Sequence, residues 1–402
     1  MPLPEVIAQP GLQVRLRQGH PWVYRNQLVQ ATQVPGSHWV RLRCGNFSAV
    51  GLWDSRSPIA VRIYAYEHVP DADWFAERVW QAWDLRAALR DDNTNAYRWI
   101  YGEGDGLPGI VVDRYGDYAV VQPYADSAAS LIPMLLPALR ACDPGLRGIL
   151  TRQGAEQSDE AGLRGAARRG REQVQILWGE APPEDLVVVE QGLFFRANLY
   201  VGQKTGLFLD QRANRATVER IAAGRRVLNC FAYTGGFSLY AMRGGAAEVV
   251  SVDSGHGLAE AVADNLVLNR FGDGRHRFVT EDCFTLLDTC GRSGRRFDMV
   301  ILDPPSFARS RSSAYAARRA YVRLNMLAMR CLEPGGTLVS ASCTSQIAPD
   351  QFRELLADAA QRAECRLTIV HEAGQSLDHP VPAAFPEGRY LKFVIGRVAD
   401  VP

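Results

Sequence analysis

Cys343 ends a short apolar run in "SASCTSQ", residues 340–346. A thiol there is either a small buried hydrophobe or a nucleophile, and the choice turns on what else the chain brings to it. Four other apolar runs also end in polar residues: "NCFAYTGGFS" (229–238), "SVDS", "TEDCF" and "LDPPSF" (302–307). Gly235 and Gly236 allow a tight turn and close approach of backbone to a ligand. The spacing is not GxGxxG, so the dinucleotide fingerprint is missing. Asp253 follows about 20 residues later, the offset at which a carboxylate reaches ribose hydroxyls; taken alone, it suits a helix N-cap equally well. Asp282 and Cys283 are placed to meet an adenine. Pro304 and Pro305 stiffen the turn that aims Asp303 and Phe307.

The elements that must position these residues begin near residue 205. There, strand-like and helical runs alternate, which predicts an α/β domain: a doubly wound, mostly parallel, Rossmann-like sheet with helices on both faces. In such a sheet ligands bind beyond the carboxyl ends of the strands. Four polar strand ends around one crevice are hard to explain as packing alone.

Upstream, residues 1–70 contain β-rich pieces, "HWVRLRC", "SAVGLWD" and "PIAVRIYAY", that predict a small β-barrel-like module. Its stretch "RLRQGHPWVYRN" interleaves Arg15, Arg17, His20, Trp22, Tyr24 and Arg25. Such residues bind phosphates and stack on bases, and they equally suit a surface turn with a buried Trp. Residues 71–200 read as a middle α+β domain: a helix with an acidic start and basic end, strands, and "AASLIPMLLPALRAC" as a helix interrupted by Pro133 and Pro137. The polar stretch "GAEQSDEAGLRGAARRGREQ" reads as an exposed mobile loop. Residues 201–402 form the third unit.

Net charge is +1, so any nucleic-acid contact must come from local patches. The basic residues are arginines except Lys204 and Lys392, which marks those two as places where a compact ammonium is wanted, or as chance survivors. The eight cysteines form no CxxC pair and no zinc spacing, so no metal is expected. The N-terminus lacks a signal-peptide pattern and no apolar run spans a bilayer. The expectation is a cytoplasmic protein.

The ordered set of strand ends resembles class I S-adenosylmethionine-dependent methyltransferases. More narrowly, the chain resembles the bacterial large-subunit rRNA 5-cytosine methyltransferase I family, over nearly its whole length. "GHPWV", "IAVRI", "GEGDGLPGIVVDRYG", "GQKTGLFLDQRANR" and "DHPVPAAFPEGRYLKFV" carry the likeness. It implies an N-terminal PUA domain, a middle domain and a C-terminal methyltransferase domain, with S-adenosyl-L-methionine as cofactor. Asn229, Phe231, Tyr233, Thr234 and Gly235 would line its methionine and ribose side, Asp253 would hold the ribose, and Asp282 with Cys283 the adenine. Lys204, Phe208 and Asp210 would close over the cofactor and shape the target pocket.

Cys343 would then add to carbon 6 of a cytosine, making carbon 5 nucleophilic, while Asp303 bonds the ring and lines the cofactor site. The second cysteine that some such enzymes carry after the fourth strand is absent, leaving Asp303, His379 and Glu387 as candidates for removing the carbon 5 proton. The implied partner is large-subunit ribosomal RNA, with the base flipped or taken from a loop. Arg17, His20, Trp22, Arg25, Phe307, Arg309, Arg311, Arg318, Arg319 and Arg323 are its candidate contacts, and a homodimer follows by family analogy. The rivals are a methyltransferase acting on a base nitrogen, which needs no cysteine, and a non-catalytic RNA-binding assembly factor.

Overall fold

The computed structural model describes residues 2–29, 34, 38–90, 93–152, 174–272, 274–307 and 314–400. Its largest sheet takes its strands from runs that are apolar on both faces. Met299, Val300, Ile301 and Leu302 are all fully buried, as a central parallel strand covered by helices on both sides requires. The strands are β1 (Arg226–Cys230), β2 (Glu248–Asp253), β3 (His276–Thr280), β4 (Phe297–Leu302), β5 (Leu332–Ser342), β6 (Cys365–Ala373) and β7 (Lys392–Asp400). Their order is β3-β2-β1-β4-β5-β7-β6. All neighbours are parallel except β7, which runs antiparallel to β5 and β6.

The helices are α1 (Arg212–Arg220), α2 (Gly236–Arg243), α3 (Leu258–Leu268), α4 (Cys283–Ser293), α5 (Ala314–Arg330) and α6 (Pro349–Arg362). Leu287 of α4, Leu324 of α5 and Leu356 of α6 join one core cluster. Val218 of α1 with Phe237 and Met242 of α2 join the cluster on the opposite face. The sheet is thus doubly wound, and its order reverses between β1 and β4, where a crevice must open. Register brings the strand ends level: Cys230 pairs with both Val252 and Leu302, and Leu302 pairs with Ser340.

Two five-stranded sheets and a two-stranded hairpin, Val187–Glu190 with Leu193–Arg196, precede it. Five strands within residues 5–65 form the first sheet, and five within residues 96–179 form the second. Helices Ala72–Leu85 and Ile132–Cys142 pack on the second through Phe75, Val79, Leu135 and Leu139. Pro133 does not interrupt the latter helix. It occupies the first turn, where no intrahelical N–H is needed, and the helix continues through Pro137. The expected mobile loop at 154–173 lies outside the described residues.

Candidate active site

Beyond β1 the chain turns sharply. Phe231 and Tyr233 adopt left-handed backbone with φ of 60° and 48°, as does Lys204 with 51°. Such conformations cost non-glycine residues about 1–3 kcal/mol each and gather at functional sites. Gly235, φ 84°, completes the turn and starts α2, and a side chain there would press on Val262. Tyr233 is the hub. Its N–H donates to Asp253 Oδ2 at 3.0 Å, and its hydroxyl accepts from Gln203 N–H at 2.9 Å. Asp253 Oδ1 accepts from Gly255 N–H at 2.9 Å, so Asp253 is a fixed acceptor at the end of β2 and does not cap α3. The 203–208 loop is thereby held over the crevice, with Phe208 edge-on to Tyr233 at 5.4 Å. Thr205 anchors it from the other side, on Asp113 and Tyr115.

The neighbouring strand ends carry the remaining groups. Asn229 donates to Ser238 Oγ at 2.8 Å, leaving its Oδ1 buried with no partner among the described residues. Thr234 accepts from Asn265 Nδ2 through its carbonyl. Asp282 caps α4, accepting from Thr285 N–H at 2.9 Å. Cys283 corrects the expectation of a thiol facing an adenine: it is only 3% exposed and its Sγ accepts from Phe231 N–H at 3.3 Å, inside the core. The side chain of an N1 residue on an amphipathic helix follows the buried face.

Two carboxylates face the Cys343 end of the crevice with opposite electrostatics. Asp210 is 2% exposed. It pairs with Lys204 Nζ at 2.6 Å and accepts from the Tyr390 hydroxyl. Burial opposes its charge, but Lys204 and His379 hold its carboxyl below the usual range. Asp303, one residue past β4, accepts from Gln211 Nε2 at 2.9 Å. Burial and the charge of Asp210 push it up to about 6, against the pull of Lys204 and Gln211. Cys343 follows the end of β5. Burial raises its thiol to about 11, Lys204 and Lys392 work to lower it, and Asp303 and Asp210 add to the rise.

Of the other candidates, Phe307 packs on Tyr321, ring centroids 4.8 Å apart. Arg319 and Arg323 are exposed on α5, Arg323 lying over Phe284, and Arg318 is half-buried and approaches Glu354. Arg17 and Arg25 are exposed, held by Asn46 and by the carbonyl of Ser57. Arg309 and Arg311 lie outside the described residues. His20 corrects the expectation of an RNA contact: it is 1% exposed, bonded to Arg15 and Glu387 and edge-on to Phe385. Trp22 packs on Phe385 at 4.5 Å and donates its indole N–H to Glu103. Glu387 is therefore turned toward the N-terminal sheet, away from any proton-removing task. Gln211 and Tyr390 join the site although neither is a candidate in the sequence. Both lie inside quoted segments, beside Asp210 and Lys392, which was their only signal.

A doubly wound sheet with fixed acceptors at successive strand ends fits an S-adenosylmethionine-dependent methyltransferase. The family model of that description matches residues 153–384, and the PUA-like domain model matches residues 6–66. "Ribosomal RNA large subunit methyltransferase I" of Erwinia tasmaniensis is 36% identical over 98% of this chain and 99% of its own. The protein of the same name in Shewanella denitrificans is 37% identical over 97% and 98%. Among solved structures, a SAM-dependent methyltransferase from Streptococcus mutans superposes with a TM-score of 0.84 at 21% identity, covering 98% of this chain and all of that one. A methyltransferase complexed with SAH superposes at 0.86, also at 21% identity, with the same coverage. The chain belongs to the ribosomal RNA large subunit methyltransferase I family, and its cofactor is S-adenosylmethionine. Among the described residues no helix is long and apolar enough to cross a membrane.

Proposed function

We propose that the protein methylates carbon 5 of a cytosine in large-subunit ribosomal RNA through a covalent adduct on Cys343. Its curated relatives are named for large-subunit rRNA methylation. The observation that carries the finer reading is the pairing of a thiol just past β5 with a proton-holding carboxyl just past β4.

The donor set fits the cofactor. The orphaned Oδ1 of Asn229 and the fixed carboxylate of Asp253 suit its ammonium and ribose hydroxyls. Phe231, Tyr233, Thr234 and Gly235 would line it, and Asp282 with the backbone at Cys283 would meet the adenine. Phe208, under the Lys204 ammonium at 4.5 Å, would close the 203–208 loop over it. When bound, the cofactor supplies an electrophilic methyl group.

On the cytosine, Asp303 bonds ring nitrogen 3 and draws electrons from carbon 6. The Cys343 sulfur adds there, its proton leaving to solvent, and carbon 5 becomes nucleophilic. Asp210, one oxygen buried and unpartnered among the described residues, shapes the pocket as a permanent anion. After methylation the carbon 5 proton must leave and the thiolate be expelled. His379 is buried against Asp378 and Glu387 is held by Arg15, which leaves Asp303 as the base once its own proton has passed to ring nitrogen 3; that nitrogen returns a proton to solvent as the thiolate is expelled. Exposed Arg319 and Arg323, with Arg318, would hold RNA phosphates at the crevice mouth, alongside Arg17 and Arg25 of the N-terminal module.

The test is to incubate the protein with S-adenosylmethionine and unmodified large-subunit rRNA, then identify the nucleoside formed by mass spectrometry. 5-Methylcytidine is expected, and Cys343→Ala should form none while still binding S-adenosylhomocysteine. A nitrogen-methylated nucleoside made equally well by the variant would sink the covalent reading.

A further inference from the structure

Lys392 has no task in the reaction above. It opens β7 directly across from Ser342, the last residue of β5, beside the strand end that leads into Cys343. It is 4% exposed. Its Nζ donates to the carbonyl of Thr344 and, at 2.8 Å, to that of Tyr390. Among the described residues no carboxylate comes within ion-pair distance. A buried ammonium held by two carbonyls alone is costly, and a leucine or methionine would fill the space at less expense.

The ionisable groups facing Cys343 are Lys204, Asp303, Asp210 and Lys392, with the Tyr321 hydroxyl behind. Lys204 is already neutralised by Asp210, and both carboxylates oppose a thiolate. Lys392 is therefore the one facing cation, among the described residues, whose charge no anion answers.

We infer that Lys392 is a positioning residue for Cys343, its ammonium serving as the standing counter-charge of the thiolate while its bond to the Thr344 carbonyl fixes the chain beyond the sulfur. The inference deepens the covalent reading and takes its purpose from it. On ionisation the Cys343 S–H bond breaks, the proton leaves to water, and sulfur keeps the electron pair; Lys392 stays protonated throughout. Burial brings the Lys392 ammonium down to about 8, Cys343 pulling the other way. The counter-charge is thus present below that pH and fades above it.

The experiment is alkylation of the intact protein by iodoacetamide between about pH 6.5 and 9.5, with Cys343 read by peptide mass spectrometry. Lys392→Met should react about tenfold more slowly at pH 7, one pKa unit of thiolate. The gap should close as pH rises through about 8, where the native ammonium is itself lost. Lys392→Arg should keep the native rate and hold it to higher pH. Cys142 and Cys365, half-buried elsewhere, should react unchanged in all variants and so report an intact fold.

Equal Cys343 rates in native protein and Lys392→Met at pH 7, or a gap constant across the range, overturn the inference. Should the variants not fold, the native profile decides alone. A log rate that flattens near pH 8 supports the counter-charge, and a straight unit slope throughout overturns it. The Cys343→Ala methylation assay is read separately: persistent methylation removes the covalent mechanism, while the alkylation profiles still judge Lys392.

Discussion

At the scale of single residues, the site is two carboxyls and a thiol made unequal by their surroundings. Asp210 has Lys204 and Tyr390; Asp303 has the amide of Gln211. The difference predicts a split between stability and activity. The ordinary aspartate pKa is about 3.9, and Asp303 stands at about 6 in the fold. The folded state therefore holds this proton more tightly than the unfolded chain. Its contribution to stability is full below about pH 4 and is lost as pH rises through about 6. Asp303→Asn carries no charge, so it should be more stable than the native protein at pH 8, by roughly 1–3 kcal/mol, and equal to it near pH 4. Urea unfolding at the two pH values checks this. Methylation by the same variant should fall by about 10²–10³. A variant that is destabilised at pH 8 would show that Asp303 is held by interactions stronger than its burial penalty.

At the scale of elements, the hairpin of Val187–Glu190 with Leu193–Arg196, upstream of the main sheet, is tied to α1 by buried ions. Glu190 ends the strand Val187–Glu190 and is fully buried. It accepts from Arg215 Nη2 at 2.7 Å and from the Tyr240 hydroxyl at 2.9 Å. Arg212, one turn earlier on α1, lies 3.6 Å from it and bonds Asp378 at 2.7 Å. Removing one member leaves the other charges buried and uncompensated, so Glu190→Ala should cost about 3–5 kcal/mol, read by thermal or urea unfolding. Glu190→Gln, which keeps one acceptor oxygen for Arg215 but loses the second along with the charge, should still lose a substantial part of that.

Element legibility followed burial. "FDMVIL" and "RRVLNC" are apolar on both faces and could only be central strands. β6, by contrast, is exposed along most of its length and has β7 as its one partner strand, so its apolar Leu367, Ile369 and Val370 are interrupted by Thr368 and give no continuous buried run. α4 is hidden in the sequence because its first residues read as ligands, whereas Asp282 caps the helix and Cys283 packs beneath it. Gln211 and Tyr390 were invisible for another reason. They meet Asp303 and Asp210 across 92 and 180 residues of chain, a closeness that only the sheet's topology creates.

At the scale of the whole molecule, the segment after β6 links the N-terminal module to the candidate site. Its far end supplies Tyr390 to Asp210 and Lys392 to Thr344. Its near end supplies Phe385 to Trp22 and Glu387 to Arg15 and His20. Gly104 seals the seam, since a side chain there would run into the Pro380 carbonyl. Residues that read as an RNA-stacking motif are thus partly the joint between two modules, and the cost of loosening that joint should appear in RNA turnover before cofactor binding. Trp22→Ala would uncover Phe385 and take the indole donor from Glu103, whose carboxyl burial already pushes up. Losing that packing and one of the two donors to Glu103 Oε1, with only the Gly109 N–H remaining, should cost about 3 kcal/mol or more. Calorimetry should find the affinity for S-adenosylhomocysteine unchanged, because the strand ends from Asn229 to Asp303 do not touch the seam. Methylation of rRNA should fall several-fold, because the segment carrying Tyr390 and Lys392 is no longer held at its other end. An equal loss of cofactor affinity would mean instead that the N-terminal module is part of the methyltransferase fold's own stability, and that the seam has no separate part in presenting RNA.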